Sequence, residues 1–168
     1  LGPIRHTIRD TLPSEATLVT PYDGPHRVLH VHQTAYCSPR DLDMSAPGAI
    51  GQLGGRLAED PDRNRQIAAD ISAALADGRK CLVLSRRRDH LTELAALLPE
   101  AEALIMRGGT GAKALAAIRA RIADTSAGES LLVMTTVPYG GEGFDAPIID
   151  TVILAGPISY PGLVIQAV

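Results

Sequence analysis

Aromatic residues are scarce in this chain of 168 residues, which has no tryptophan and only one phenylalanine, Phe144. Apolar residues nevertheless make up 45% of the sequence, enough for one domain with its own core. Because aromatic side chains are missing, that core must consist of Leu, Ile, Val and Ala. Such a composition suits a parallel β-sheet covered by helices.

The sequence also lacks long apolar runs, a leader segment and a cysteine framework. No run reaches the roughly 20 apolar residues that a membrane helix needs, and no basic segment followed by an apolar stretch opens the chain. The two cysteines, Cys37 and Cys81, lie far apart and do not indicate a secreted framework. A single disulfide stays open, although Cys81 begins an apolar run and is predicted to be buried. We therefore expect a cytoplasmic protein without a membrane partner.

An excess of basic charge is absent as well, since the formal net charge is -3. A domain that held nucleic acid by bulk attraction alone would be basic. Any contact with nucleic acid must therefore come from local groups rather than from the charge of the whole chain.

The first 55 residues are typical of an irregular connector. Six prolines interrupt them, and one strand is predicted over His26–Thr34 by its partial alternation. Met44–Gly55 is predicted to be a loop because it is rich in glycine. Residues 1–55 are therefore interpreted as a linker with an edge strand, and residues 56–168 as the following domain.

Helix and strand patterns alternate from about Asp60 onward. Helices are predicted over Asp60–Ala76, Asp89–Leu98 and Gly111–Ala123, and strands over Lys80–Ser85, Ala103–Met106, Leu131–Thr135 and Thr151–Ala155. Asp60 or Asp62 can cap the first helix, and Gly78 ends it. This alternation predicts an α/β fold, a parallel sheet with helices on its faces.

A glycine-rich turn, Gly140–Asp145 (GGEGFD), separates the last two predicted strands. Gly141 and Gly143 allow the backbone to approach a ligand, and the turn stands where open α/β sheets bind ligands. Asp145 would accept hydrogen bonds from a ribose hydroxyl, or orient an attacking water through a metal. The alternative is a tight turn in which Asp145 bonds nearby backbone amides.

The order of residues around this turn resembles motif V of the superfamily 2 DNA and RNA helicases, in the form found in type III restriction subunits. The matching positions are Thr136, Gly141, Glu142, Gly143, Phe144, Asp145, Pro147, Asp150 and Thr151. Cys81–Leu98 is similar to motif IV of the same family, a strand that ends in a hydroxyl residue before a helix. Gly156–Gln166 resembles the approach to motif VI, and Gln166 matches its glutamine. The chain stops before the arginines of that motif.

The resemblance implies the C-terminal RecA-like domain of an ATP-dependent helicase or translocase. Its implied ATP-binding residues are Gly141, Glu142, Gly143 and Asp145. Residues 1–55 would be the linker from a preceding RecA-like domain, and that domain would supply most of the Mg²⁺ site. The implied nucleic-acid-binding residues are Ser85, Arg86, Gly108, Gly109, Lys113 and Thr136, with DNA expected before RNA. Without the motif VI arginines, which stabilise transition-state charge, the fragment is expected to be inactive alone.

Simpler interpretations stand beside these. Arg86, Arg87 and Arg88 also fit a solvated charge run, and the glycines before Lys113 also fit a flexible loop. His90 is expected on a helix surface, and Arg63 and Asn64 in capping and surface pairing. His30 and His32 share a strand face, but no third metal ligand is evident, so no metal site is predicted.

Two other functional classes also stay open. The chain could be a non-catalytic RecA-like module that binds protein or nucleic acid. It could also be a dinucleotide-binding enzyme, although no G-x-G-x-x-G motif is present.

Overall fold

The computed structural model describes residues 15–19, 28–38, 41–43, 45–137 and 146–157. The chain divides into two compact units, Leu1–Ala35 and Tyr36–Val168. The first unit contains β1 (Glu15–Val19) and β2 (Val28–His32), which pair in antiparallel fashion as a two-stranded sheet. The strand predicted over His26–Thr34 is confirmed as β2, whereas β1 was not predicted.

The second unit begins with a helix that the sequence did not predict. The loop expected over Met44–Gly55 is wrong from Ala49 onward, where α1 (Ala49–Glu59) starts. Glycine lowers helix propensity, but burial of Ala49 and Ala58 compensates by packing one face of α1. Arg56 also donates two hydrogen bonds to Asp41, over 3.1 and 3.2 Å, and so fixes the segment before the helix.

The remaining elements form a parallel sheet with connecting helices, as predicted. They are α2 (Pro61–Ala76), β3 (Lys80–Ser85), α3 (Arg88–Ala96), β4 (Ala103–Met106), α4 (Ala112–Ala123), β5 (Leu131–Thr136) and β6 (Thr151–Leu154). The strand order is β4-β5-β3-β6 and every pairing is parallel. All residues of the two central strands, β3 and β5, are buried, which explains why their sequences are continuous apolar runs.

Helices cover both faces of this sheet. On one face α2 and α3 pack against alternate residues of β3 and β5, including Cys81 and Val83. On the other face α4 packs with Leu82 and Leu84. The RecA-like α/β architecture predicted from the sequence is thereby confirmed.

The parallel arrangement gives the sheet two different edges. The last residues of β3, β4 and β5 lie at the carboxyl edge, so the loops that follow Ser85 and Met106 start at the same edge, with the end of β5 between them. Asp150, at the beginning of β6, lies at the opposite, amino edge. There its carboxylate accepts hydrogen bonds from the Lys80 peptide N–H (3.2 Å) and the Thr151 hydroxyl (2.7 Å). Asp150 and Thr151 therefore stabilise the start of the sheet.

Candidate functional site

The glycine-rich turn and the end of the chain lie outside the part of the chain that the structure describes. Gly141, Glu142, Gly143 and Asp145 lie outside the described residues, and so does Gln166. The site is therefore built from the two loops that leave β3 and β4 at the carboxyl edge of the sheet.

The connections that leave β3 and β4, with the first turn of α3, border a shallow and open depression of about 690 Å³, which we call the arginine cleft. Its lining consists of Arg86, Arg87, Arg88, Asp89, Arg107, Gly108 and Gly109. Four arginines and one aspartate contribute to this lining, a formal charge of +3 at neutral pH on a chain that carries -3. Because guanidinium groups match the geometry of phosphate oxygens, the cleft is suited to phosphate-bearing ligands.

The two loops are tied to each other by arginine side chains. Arg88, at the first position of α3, donates a hydrogen bond to the carbonyl oxygen of Gly108 over 3.2 Å. Arg107, which follows β4, donates to the Thr92 hydroxyl oxygen over 3.3 Å. Helix α3 thus donates to the β4–α4 loop and that loop donates back to α3, and these two bonds hold the two walls of the arginine cleft together.

The β4–α4 wall is a tight turn with open space above it. The Thr110 N–H donates to the Arg107 carbonyl oxygen over 2.9 Å, and Gly109 has a φ of 94°. A type II turn needs a positive φ at its third residue, and Gly109 occupies that position in the turn Arg107–Thr110. A methyl group added at Gly108 or Gly109 would meet no atom within 4 Å, so a ligand can approach the backbone here.

A buried polar network lies directly beneath the β3–α3 wall. Ser85 and His90 are both 2% exposed, and the Ser85 hydroxyl lies 3.0 Å from His90 Nδ1. His90 Nε2 lies 2.9 Å from Asn64 Oδ1, and Asn64 Nδ2 donates to the Ala58 carbonyl oxygen over 2.7 Å. The expectation that His90 lies on a helix surface is therefore wrong.

Burial is the main reason why His90 stays uncharged. Together with the smaller effect of the nearby positive charges of Arg63 and Arg87, burial lowers the pKa of His90 from 6.5 to about 4. Arg63 is itself half-buried and donates to the carbonyl oxygens of Ala155 (2.8 Å) and Leu57 (3.3 Å). At neutral pH the imidazole is thus a neutral hydrogen-bonding group.

The sequence interpretation missed this network, although it held a signal. Asn64 lies three residues before Ile67, and His90 lies four residues before Leu94, so both occupy the apolar stripes of their helices. A polar residue on such a stripe is buried and must find hydrogen-bond partners. Asp60 does cap α2 as predicted, accepting from the Arg63 N–H over 2.7 Å.

The predicted nucleic-acid-binding residues fall into three groups. Arg86, Gly108 and Gly109 line the arginine cleft together. Ser85 and Thr136 are buried and stand opposite each other in the β3–β5 register. Lys113 is exposed on the first turn of α4 but is not part of the lining.

Among the described residues, no cluster of three potential metal ligands occurs. The rings of His30 and His32 touch edge to face, with centroids 6.5 Å apart. Both cysteines are free, Cys37 exposed and Cys81 buried, so the disulfide left open by the sequence does not form. None of the helices in the described ranges is long and apolar enough to cross a bilayer.

Similarity to known proteins is found in structure alone. No protein-family model and no curated protein matches the sequence. The crystal structure of T4 UvsW matches 76% of this chain and 24% of its own, with a TM-score of 0.58 and 14% identity. The crystal structure of the C-terminal part of the Fun30 ATPase domain matches 66% and 36%, with a TM-score of 0.56 and 15% identity. The chain thus spans about a quarter to a third of these structures, and at such identities the likeness shows their common fold.

Proposed function

We propose that this chain is the C-terminal RecA-like domain of an ATP-dependent superfamily 2 helicase or translocase. In this proposal the domain closes over ATP held against a preceding RecA-like domain of the same protein, for which residues 1–55 form the linker. It grips one nucleic-acid strand at the carboxyl edge of its sheet. The order of sequence motifs and the fold shared with the C-terminal part of an ATPase domain support this proposal.

The arginine cleft is the observation that carries the proposal. A solvated charge run would place three arginines together in sequence, but it would not bring a fourth arginine from a second loop to the same surface. Here Arg107 lines the depression with Arg86, and two hydrogen bonds join α3 to the β4–α4 loop. Local positive charge on an acidic chain fits the requirement that nucleic acid be held by specific groups.

The proposed contacts with the nucleic-acid strand are assigned to side chains and backbone that are exposed at this edge. Arg86 and Lys113 offer cations, and the Gly108–Gly109 turn offers open backbone. Ser85 and Thr136 belong to the same edge, and a contact of either hydroxyl with the strand stays a prediction because both residues are buried. We propose DNA before RNA, and a restriction-type protein of the cytoplasm.

ATP is assigned to the glycine-rich turn, through Gly141, Glu142, Gly143 and Asp145. Mg²⁺ is assigned mainly to the preceding domain. When bound, ATP supplies the free energy of its hydrolysis, while the residues of this chain orient the nucleotide and the strand. The fragment alone is proposed to be inactive.

A non-catalytic module is the second candidate. The arginine cleft also fits a non-catalytic module, because a surface that binds phosphate groups does not need ATP to do so. The two candidates differ in one observable property, because only a motor domain makes ATP turnover depend on nucleic acid.

The test is ATP turnover by the whole protein to which the domain belongs, with and without single- or double-stranded DNA. The proposal predicts turnover that DNA stimulates, that Asp145→Ala abolishes and that the isolated chain lacks. Turnover by the isolated chain at an enzyme-like rate would refute the proposed division of the ATP site. The absence of any turnover in the whole protein would leave the binding module.

A further inference from the structure

The direction of each hydrogen bond in the buried network can be assigned from one fixed point, the Ala58 carbonyl oxygen. A carbonyl only accepts, so the Asn64 atom 2.7 Å away is the amide nitrogen, and Asn64 Oδ1 faces His90. His90 Nε2 must then carry the proton that it donates to Asn64 Oδ1. A neutral imidazole has one N–H, so His90 Nδ1 is an acceptor.

The same logic orients the Ser85 hydroxyl. Because His90 Nδ1 accepts, the Ser85 hydroxyl donates to it over 3.0 Å. The Ser85 oxygen keeps its lone pairs for the peptide N–H of Arg87, which lies 3.2 Å away. The result is a one-way chain of hydrogen bonds from the Arg87 N–H through Ser85, His90 and Asn64 to the end of α1.

We propose that His90 is a positioning residue for the arginine cleft, and that Asn64, by accepting from Nε2, leaves His90 Nδ1 as the acceptor for Ser85. Through the Ser85 hydroxyl, His90 holds the turn that carries Arg86 and Arg87 in its anion-binding conformation. The helix end needs such a contact, because Arg87 is the N-cap of α3 and its side chain makes no capping hydrogen bond. The inference deepens the proposed function and rests on it for the identity of the ligand, a nucleic-acid phosphate.

Further contacts support this placement of the turn. The Ser85 oxygen and the Arg86 nitrogen lie 3.9 Å from the position of a Cβ at Gly156, so the segment that follows β6 packs behind the turn. Arg63 of α2 donates to the carbonyl oxygen of Ala155 in that segment. The first turn of α2 therefore contacts the segment after β6 through Arg63, and His90 of α3 through Asn64.

Two amide substitutions at His90 separate positioning from packing. In His90→Asn the amide oxygen takes the place of Nδ1 and can accept from Ser85. In His90→Gln the amide nitrogen takes the place of Nε2 and can donate to Asn64, but the acceptor for Ser85 is lost.

A second pair of variants changes Ser85. Ser85→Thr keeps the hydroxyl and Ser85→Ala removes it. Thr125→Val is the matched control, since it removes a buried hydroxyl at the amino edge that bonds the Arg121 carbonyl oxygen.

The readouts are the affinity of each variant for a fluorescent oligodeoxythymidine and hydrogen exchange at the Arg87 amide, after circular dichroism has confirmed folding. We expect His90→Gln and Ser85→Ala to weaken binding by about fivefold, the effect of one net hydrogen bond, and to speed exchange at Arg87. His90→Asn and Thr125→Val should match the wild type in both measurements, and Ser85→Thr should match it in the exchange rate at Arg87. Equal losses in His90→Asn and His90→Gln would overturn the inference, because packing alone would then explain them.

Failure of the proposed function gives a different result. If the wild-type chain does not bind the oligonucleotide, the nucleic-acid function falls, and the exchange rates alone decide the inference. Faster Arg87 exchange in His90→Gln and Ser85→Ala, with wild-type rates in their paired variants, would still support it. Equal rates in all five variants would refute it.

Discussion

The arginine cleft predicts a specific salt dependence of nucleic-acid binding. If its net charge of +3 neutralises three phosphates of a single strand, the slope of log K against log salt is about -2.1, since each phosphate contributes about -0.7. Raising salt from about 50 to about 200 mM would then weaken binding roughly 18-fold. The whole chain, with its charge of -3, would give no such attraction.

Arg86→Gln tests this reasoning because it removes one charge of the cleft. The slope should become shallower by about 0.7, and the same salt change should weaken binding only about sevenfold. Fluorescence anisotropy with a labelled oligodeoxythymidine measures both slopes. Arg119→Gln is the matched control, since Arg119 is exposed on α4 and is not part of the cleft lining. An unchanged slope in Arg86→Gln, or an equal change in both variants, would refute the assignment of the strand to this cleft.

Three further predictions follow from the surroundings of single side chains. Because the pKa of His90 is lowered from 6.5 to about 4, the folded chain binds fewer protons than the unfolded one between those values. Chemical denaturation should therefore show stability falling by up to about 3 kcal/mol as the pH drops from 6.5 to 4, a loss that His90→Asn removes. Burial raises the pKa of Cys81 to about 11, so an aromatic disulfide reagent at mildly alkaline pH should label only the exposed thiol of Cys37 in the folded chain. Both thiols should react after unfolding, and rapid reaction of two thiols in the folded chain would contradict this prediction. Asp150→Ala should cost about 1 kcal/mol in urea denaturation by removing the acceptor of the Lys80 N–H, and a change in oligonucleotide affinity would contradict its place at the amino edge.

The parallel sheet could be predicted because its signals are local. Lys80–Ser85 and Leu131–Thr136 are buried on both faces, and such continuous apolar runs are typical of the central strands of a parallel sheet. Gly78, with a φ of 75°, ended α2 as expected of a helix C-terminal glycine.

Helix α1 could not be predicted because its stability comes from contacts distant in sequence. Its glycines argue for a loop, and the contact that holds its end, from Asn64 to the Ala58 carbonyl oxygen, joins it to the next helix. Tertiary packing overrode local propensity.

The arginine cleft was predicted in part. Arg86 and Gly108–Gly109 were named from the family resemblance, and they belong to loops that follow two strands of one parallel sheet, so both lie at its carboxyl edge. The role of Arg107 and the burial of His90 could not be predicted, because both depend on side-chain directions across loops. Which hydroxyls face solvent and which are buried, as with Ser85, is likewise decided by packing.

Mapping the strand on the chain tests the central claim most directly. In a titration of the isotope-labelled chain with an oligodeoxythymidine, followed by NMR of the backbone amides, the account predicts the largest shifts at Arg86–Arg88 and Arg107–Gly109. The amino edge, represented by Thr125 and Asp150, should stay unchanged. Shifts centred on that edge, or no shifts at any concentration of the oligonucleotide, would contradict the account.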